Sequence, residues 1–179
     1  MIEETIESAR AYTGRLINLR VDTVRLPDGR ITQREIVEHP GAVGILACDP
    51  GGQIVMVRQY RKPIERLTLE IPAGTLHAGE DPLACARREL REETGYEAKQ
   101  IGPFLRYYSS AGFCNEILYL FHATELQHVG GGTDEDEFVE LEMVSPQAAW
   151  QLIEKGEIVD GKTIIALLWL AQHKDAATA

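Results

Sequence analysis

Cysteine is scarce in this chain. Three occur in 179 residues, Cys48, Cys85 and Cys114, and no CxxC is formed. That argues against a zinc ribbon or a redox dithiol. An odd, low count suits a reducing compartment. Long apolar runs are also missing. The longest, TIIALLWLA from residue 163, is about half of the ~20 residues that span a bilayer, and it reads as a core helix. The first residues, MIEETIESAR, are acidic and polar, unlike a secretory leader, so a cytoplasmic setting is expected. Positive charge is short as well. Lys and Arg number 18 against 28 Asp and Glu, a net charge of −10. This argues against non-specific binding to nucleic acid or to an anionic membrane, both of which need basic surface. An anionic small ligand stays open, because a bound divalent cation inverts the local field. Internal repeats and low-complexity segments are absent.

What is present fits a single globular domain: 44% hydrophobic and 26% charged residues, enough chain to bury a core without staples. LINLRVDTVRL and RITQREIVEH flank Pro27-Asp28-Gly29 and predict a β-hairpin over 16–38. GAVGILACD and QIVMVRQYR, split by Asp49-Pro50-Gly51-Gly52, predict a second hairpin. LTLEI (67–71) predicts a short strand. Asp81, Pro82 and Gly95 mark the cap, first position and stop of a helix. FLRYYSS and EILYLFHATEL predict strands around a Gly112 loop, and VELEMV a further strand. PQAAWQLIEKG and KTIIALLWLAQHK carry helical spacing. The order predicts an α+β fold with a mixed sheet. An N-terminal hairpin region is expected over 1–40 and the main domain over 41–179.

One stretch runs against ordinary helix design. GTLHAGEDPLACARRELREETGY (74–96) places Glu89, Glu92 and Glu93 in the last turns of a helix, where the macrodipole disfavours acids. Spacings of three and four put them on adjoining parts of one face, where like charges repel. Leu83, Ala86 and Leu90 are the expected buried stripe on the opposite side. Taken alone, RRELREE reads as a solvated charged face. Three converging carboxylates also suit a hard divalent cation such as Mg²⁺ or Mn²⁺.

The wider pattern selects the second reading. Gly74, five residues, Glu80, seven residues, then Arg88-Glu89-Leu90-x-Glu92-Glu93-x-Gly95 resembles the Nudix box, with Tyr96 where that family has a bulky aliphatic. The resemblance implies a Nudix fold, an α/β/α sandwich. It also implies Mg²⁺- or Mn²⁺-dependent hydrolysis of a nucleoside diphosphate linked to another moiety. It further implies metal ligation by Glu89, Glu92, Glu93 and the carbonyl of Ala73, with Glu92 and Arg88 in the catalytic group. Arg88 would hold Glu80 and the carboxylates in place, and Gly74 and Gly79 would serve the backbone of the loop.

Beyond the box, REIVEHPGAV (34–43), VRQYRKP (57–63), LEIPAGT (69–75), SSAGFCNE (109–116) and DEDEFVE (134–140) resemble the ADP-ribose pyrophosphatase branch. The branch usually has proline where this chain has Ala111. The resemblance implies a phosphate contact at Arg61, adenine or ribose contacts at Arg34 and Glu35, and a terminal-ribose contact at Glu116. Leu16, Thr75, Ser110 and Gly112 complete the expected substrate positions. Arg61 also reads as a plain charge at a strand end, and Arg34 and Glu35 as ordinary hairpin residues. On the acidic loop, Glu135 is the expected base and Glu137 an extra metal ligand, with Asp134 and Asp136 as one-residue-slip alternatives. The branch implies a homodimer that exchanges its N-terminal region. ADP-ribose is the expected substrate, with GDP-mannose or ADP-glucose as alternatives and a non-catalytic sensor as a rival of another class. Of the five histidines, His39 and His122 are expected at strand ends and His77 on the surface. Cys114 is expected as a packing residue.

Overall fold

The computed structural model describes residues 1–130 and 138–173. The chain divides into two compact units. One comprises Met1–Gly41 and Arg106–Leu118, the other Ala42–Leu105 and Tyr119 onward.

In the first unit, β1 (Glu4–Thr13), β2 (Asn18–Arg25) and β3 (Ile31–Glu38) form an antiparallel sheet in the order β1-β2-β3. The expected hairpin is β2–β3. Its turn closes with Gly29 at φ +87°, its amide 2.9 Å from the Leu26 carbonyl, a conformation that glycine adopts without steric cost. The strand β1 corrects the sequence reading, which assigned no element to the acidic N-terminus. All ten of its positions are exposed, so no buried face exists to imprint a period of two. Its ladder to β2 and polar cross-strand pairs hold it. Ser8 Oγ donates to Asp22 at 2.6 Å, and Arg10 pairs with Glu38. The 106–118 segment docks on β3 through backbone bonds, Val37 N to Phe113 O at 2.8 Å and Asn115 N to Val37 O at 3.1 Å.

The second unit is built on a seven-stranded sheet. Its strands are β4 (Ala42–Cys48), β5 (Ile54–Arg61), β6 (Arg66–Glu70), β7 (Ala73–Thr75), β8 (Tyr96–Tyr108), β9 (Ile117–His128) and β10 (Glu140–Val144), with the far ends of β8 and β9 belonging to the first unit. The order is β10-β5-β4-β9-β8, with β6 on β5 and β7 on β4. Helix α1 (Pro82–Thr94) packs on β4 and β7, α3 (Gly161–Gln172) packs on β4, and α2 (Pro146–Glu154) packs on α3. Contact with helices on both faces explains why β4 is a continuous apolar run rather than an alternating one. Val43, Ile45 and Ala47 join Cys85, Ala86 and Leu90 of α1 in the core. The expected α+β class and the helix-on-sheet arrangement hold.

Two local readings change. Strand β8 begins at Tyr96, directly after the left-handed Gly95 (φ +71°), and not near Phe104. Its first half carries Lys99, Gln100, Gly102 and Pro103, which mask any strand signal. His122 lies in mid-strand on β9, its ring 5.3 Å from that of Trp169, and not at a strand end.

Candidate active site

Helix α1 starts where the sequence predicts. Asp81 Oδ1 accepts from the amides of Leu83 (3.0 Å) and Ala84 (3.1 Å), and the Gly95 amide closes the other end on Arg91 O at 2.9 Å. Of the expected apolar stripe, Ala86 and Leu90 are buried and Leu83 is half-buried. Glu89 and Glu93, however, are 9% exposed each. These two carboxylates are therefore turned inward, toward β7, while the Glu92 side chain is 42% exposed.

Arg88 organises it. Its Nε and Nη2 donate to the two carboxylate oxygens of Glu80 at 3.0 and 3.1 Å. Its Nη1 lies 2.7 Å from Glu89 Oε1 and 2.8 Å from Glu92 Oε2. One guanidinium thus serves three carboxylates, the fork geometry to which arginine is suited. The Arg88 bonds, with the His77 amide at 3.0 Å, hold the Glu80 carboxyl down at about 2. The Glu80, Glu92 and Glu89 carboxylates in turn raise the Arg88 pKa further above its already high value. Burial, and secondarily the charge of Glu80, pushes the neighbouring Cys85 thiol up to about 12, so it is an inert packing group here.

Two contacts tie α1 to β7. The Ala73 amide donates to Glu93 Oε2 at 3.0 Å. Gly74 lies so close to Glu89 that a Cβ there would fall 1.8 Å from its carboxyl carbon. Only a residue without a side chain lets the strand pass over that carboxylate.

These groups line a cleft of about 260 Å³ that contains Gln59, Arg61, Ala73, Gly74, Thr75, His77, Arg88, Glu89, Glu92 and Glu93. It brings together seven of the expected site residues: Arg61, Ala73, Thr75, Arg88, Glu89, Glu92 and Glu93. Leu16, Arg34, Glu35, Ser110, Gly112 and Glu116 belong to the first unit. There Arg34 pairs with Glu3 at 2.6 Å, Glu35 faces Val21 across the β2–β3 ladder, and Leu16 is exposed. Ser110 O accepts the amides of Phe113 and Cys114, and Glu116 Oε1 is 3.4 Å from His39 Nδ1. Glu135 and Glu137, with Asp134 and Asp136, lie outside the described residues. Tyr96 packs its ring edge-on against His128, with centroids 5.1 Å apart, so the aromatic fills an apolar role.

Two cleft features escaped the sequence reading. Gln59 Nε2 is buried without a hydrogen-bond partner among the described residues, a polar group that lacks the usual compensation. The VRQYR run contains it but does not distinguish it. Arg61 forms a bidentate pair with Glu70, Nε to Oε1 at 2.9 Å and Nη2 to Oε2 at 2.7 Å. Glu70 stands in LEIPAGT, with no spacing rule to link it to Arg61.

The residues fit a divalent cation by donor chemistry. Glu89, Glu92, Glu93 and the Ala73 carbonyl offer oxygen donors in the cleft, and Gly74 leaves room for the Glu89 carboxylate. Among the described residues no three acidic, histidine or cysteine side chains stand at chelating distances. Glu89 and Glu92 are drawn to Arg88 instead, which supplies the positive charge that crowded carboxylates need.

The NUDIX domain model matches residues 38–167. The chain belongs to the Nudix family. The Nudix domain is preceded by a match to the nucleoside diphosphate sugar hydrolase N-terminal domain over residues 3–37. The chain is 46% identical over 179 residues to an ADP-ribose pyrophosphatase of Bacillus subtilis, covering 99% of this chain and 96% of that one. It is also 46% identical over 170 residues to a methanol dehydrogenase activator of Bacillus methanolicus, covering 94% and 92%. A solved ADP compounds hydrolase has the same fold, with a TM-score of 0.85 at 19% identity over 97% of this chain and 96% of that one. Members of the family generally use a divalent metal. No helix among the described residues is long and apolar enough to cross a membrane.

Proposed function

We propose that this Nudix protein hydrolyses the pyrophosphate of ADP-ribose to AMP and ribose 5-phosphate, with Mg²⁺ as its metal. The observation that carries the reading is the cleft itself, where the Arg61 guanidinium and the Glu89, Glu92 and Glu93 carboxylates line one cavity. The identity to an ADP-ribose pyrophosphatase along nearly the whole chain supports the choice of substrate.

Glu89, Glu92, Glu93 and the Ala73 carbonyl are the groups that would hold the metal. When bound, it supplies charge neutralisation of the pyrophosphate and a more acidic water. Arg61 offers a planar, permanently charged donor to phosphate. Arg88 holds Glu89 and Glu92, and the Ala73 amide holds Glu93, so the carboxylates are gathered at the cleft before substrate arrives. Glu135 is the proposed base. Hydrolysis adds one water across the P–O–P link, leaving a phosphomonoester on each product.

Arg34, Glu35, Leu16, Thr75, Ser110, Gly112 and Glu116 are the proposed remaining substrate contacts. A homodimer that exchanges its N-terminal region is proposed with them. The exposed Ile6, Tyr12, Leu16, Ile17 and Ile31 of the first unit supply apolar surface for such an interface. Three free cysteines are in keeping with a cytoplasmic setting.

The N-terminal match to nucleoside diphosphate sugar hydrolases favours one second reading, the same chemistry on a nucleotide sugar. The deciding experiment is product analysis on ADP-ribose, GDP-mannose and ADP-glucose, each with Mg²⁺ and with EDTA. AMP and ribose 5-phosphate from ADP-ribose at the highest kcat/KM, abolished by EDTA, is the expected result. Faster turnover of a nucleotide sugar overturns the substrate. Undiminished turnover in EDTA overturns the metal.

A further inference from the structure

Behind Arg61 the cleft has a second layer that the chemistry above does not use. Glu70, the bidentate partner of Arg61, is 2% exposed. Its Oε1 also accepts from Thr68 Oγ1 at 2.6 Å, and its Oε2 from Lys162 Nζ. Lys162 enters from the first turn of α3 and is 7% exposed. Its Nζ lies 3.1 Å from Oδ2 of Asp160, the cap of that helix. Its stem crosses β4 at Gly44, where a Cβ would be 3.6 Å from Lys162 Cδ and only 2.9 Å from Leu120 Cδ2. A buried lysine is costly unless paired, and this one has two anionic partners.

The charges decide what it does. Arg61 and Lys162 face Glu70 and Asp160, so the group is neutral. Without Lys162 it would be net negative, beside a cleft already lined by Glu89, Glu92 and Glu93. Glu70 would then cancel Arg61, and an anionic phosphate would meet an acidic wall. Both hydrogen bonds to Glu70 use Nε and Nη2 of Arg61, so Nη1 takes part in neither. The Arg61 side chain is 40% exposed.

We propose that Lys162 is a positioning residue for substrate phosphate. By sharing the charge of Glu70, it leaves the positive charge of Arg61 available to the cleft. The inference rests on the reading of the cleft as a pyrophosphate site, and it names a residue 101 positions away from Arg61 in sequence as part of that site's affinity.

Calorimetric binding of inorganic pyrophosphate in Mg²⁺ tests it, with the melting temperature of every variant recorded. Lys162→Met should weaken binding about tenfold, the scale of one unit charge at short range in a partly screened site. Lys162→Gln, which keeps a donor for Glu70 without the charge, should do the same. The double variant Lys162→Met/Glu70→Gln removes one charge of each sign, and binding should return to within about threefold of wild type. A purely structural pin predicts the reverse, because the second substitution would add damage. Single variants within twofold of wild type, or a double variant weaker than the single, overturn the proposal. Wild-type protein that binds no pyrophosphate overturns both this inference and the reading of the cleft. Wild-type protein that binds pyrophosphate but does not hydrolyse ADP-ribose overturns only the substrate.

Discussion

Replacing Gly74 by alanine is the sharpest test of how the acidic face is built. The new Cβ would sit 1.8 Å from Glu89 Cδ, 1.9 Å from Oε1 and 2.4 Å from Cγ. Carbon atoms pack comfortably at about 3.5 Å, so the carboxyl group must withdraw by roughly 1.7 Å. Gly74 is not among the glycines of positive φ, so the backbone tolerates alanine and the side chain of Glu89 takes the whole displacement. Glu89 is buried and pinned by Arg88 at 2.7 Å. The move therefore breaks that pair and costs roughly 1–3 kcal/mol, as overpacking does. A functional group misplaced by about 1 Å loses on the order of 10²-fold in rate. Turnover of ADP-ribose should fall by at least that factor, with a raised Mg²⁺ requirement, while circular dichroism keeps its native form. Wild-type turnover and Mg²⁺ dependence in Gly74→Ala would refute the placement of Glu89 and its role together.

Further outcomes follow from the same geometry. Glu93→Gln should keep the fold, because an amide oxygen still accepts from the Ala73 amide, and lose orders of magnitude in kcat; near-normal kcat at saturating Mg²⁺ sinks the assignment. Mg²⁺ at about 100 times its Kd should stabilise the protein by about 2.7 kcal/mol, about 5–10 °C in Tm at this chain length, and EDTA should reverse it; an unchanged Tm refutes a metal site on the native state. Burial opposes ionisation of Glu70, but the Arg61 bonds and Lys162 take its pKa from 4.5 down to about 2. Its stabilisation is therefore full above pH 4.5 and lost as pH falls toward about 2, on the order of 3 kcal/mol. In urea titrations the stability gap between wild type and Glu70→Gln should narrow between pH 5 and 2.5, and a constant gap contradicts the pairing. Light scattering at micromolar concentration should give a dimer; a fully active monomer removes the exchanged N-terminal region.

How much of this was legible beforehand depends on sequence distance. Glu89, Glu92 and Glu93 share a helical face because three and four residues make about one turn. Asp81, Pro82 and Gly95 marked the helix ends by local capping chemistry, and the structure agrees at both ends. Strand β1 was illegible because an exposed strand buries nothing and carries no period. The inward turn of Glu89 and Glu93 was illegible too. The helical pattern places them on one face but does not say that β7 passes over that face.

The sequence by itself determined the helix, its caps, the spacing of the carboxylates and the family to which they belong, since all of these are set by contacts within a few turns of chain. Only the tertiary structure decided the geometry in which charges meet and the pairs that are remote in sequence. The family resemblance implied that Arg88 holds Glu80, but the bidentate geometry of that hold, on a residue eight positions earlier, comes from the loop folding back. Lys162 reaches Glu70 across 92 residues. A charged side chain carries no local signature of its partner, because its pairing energy depends on the separation and burial that the whole fold creates.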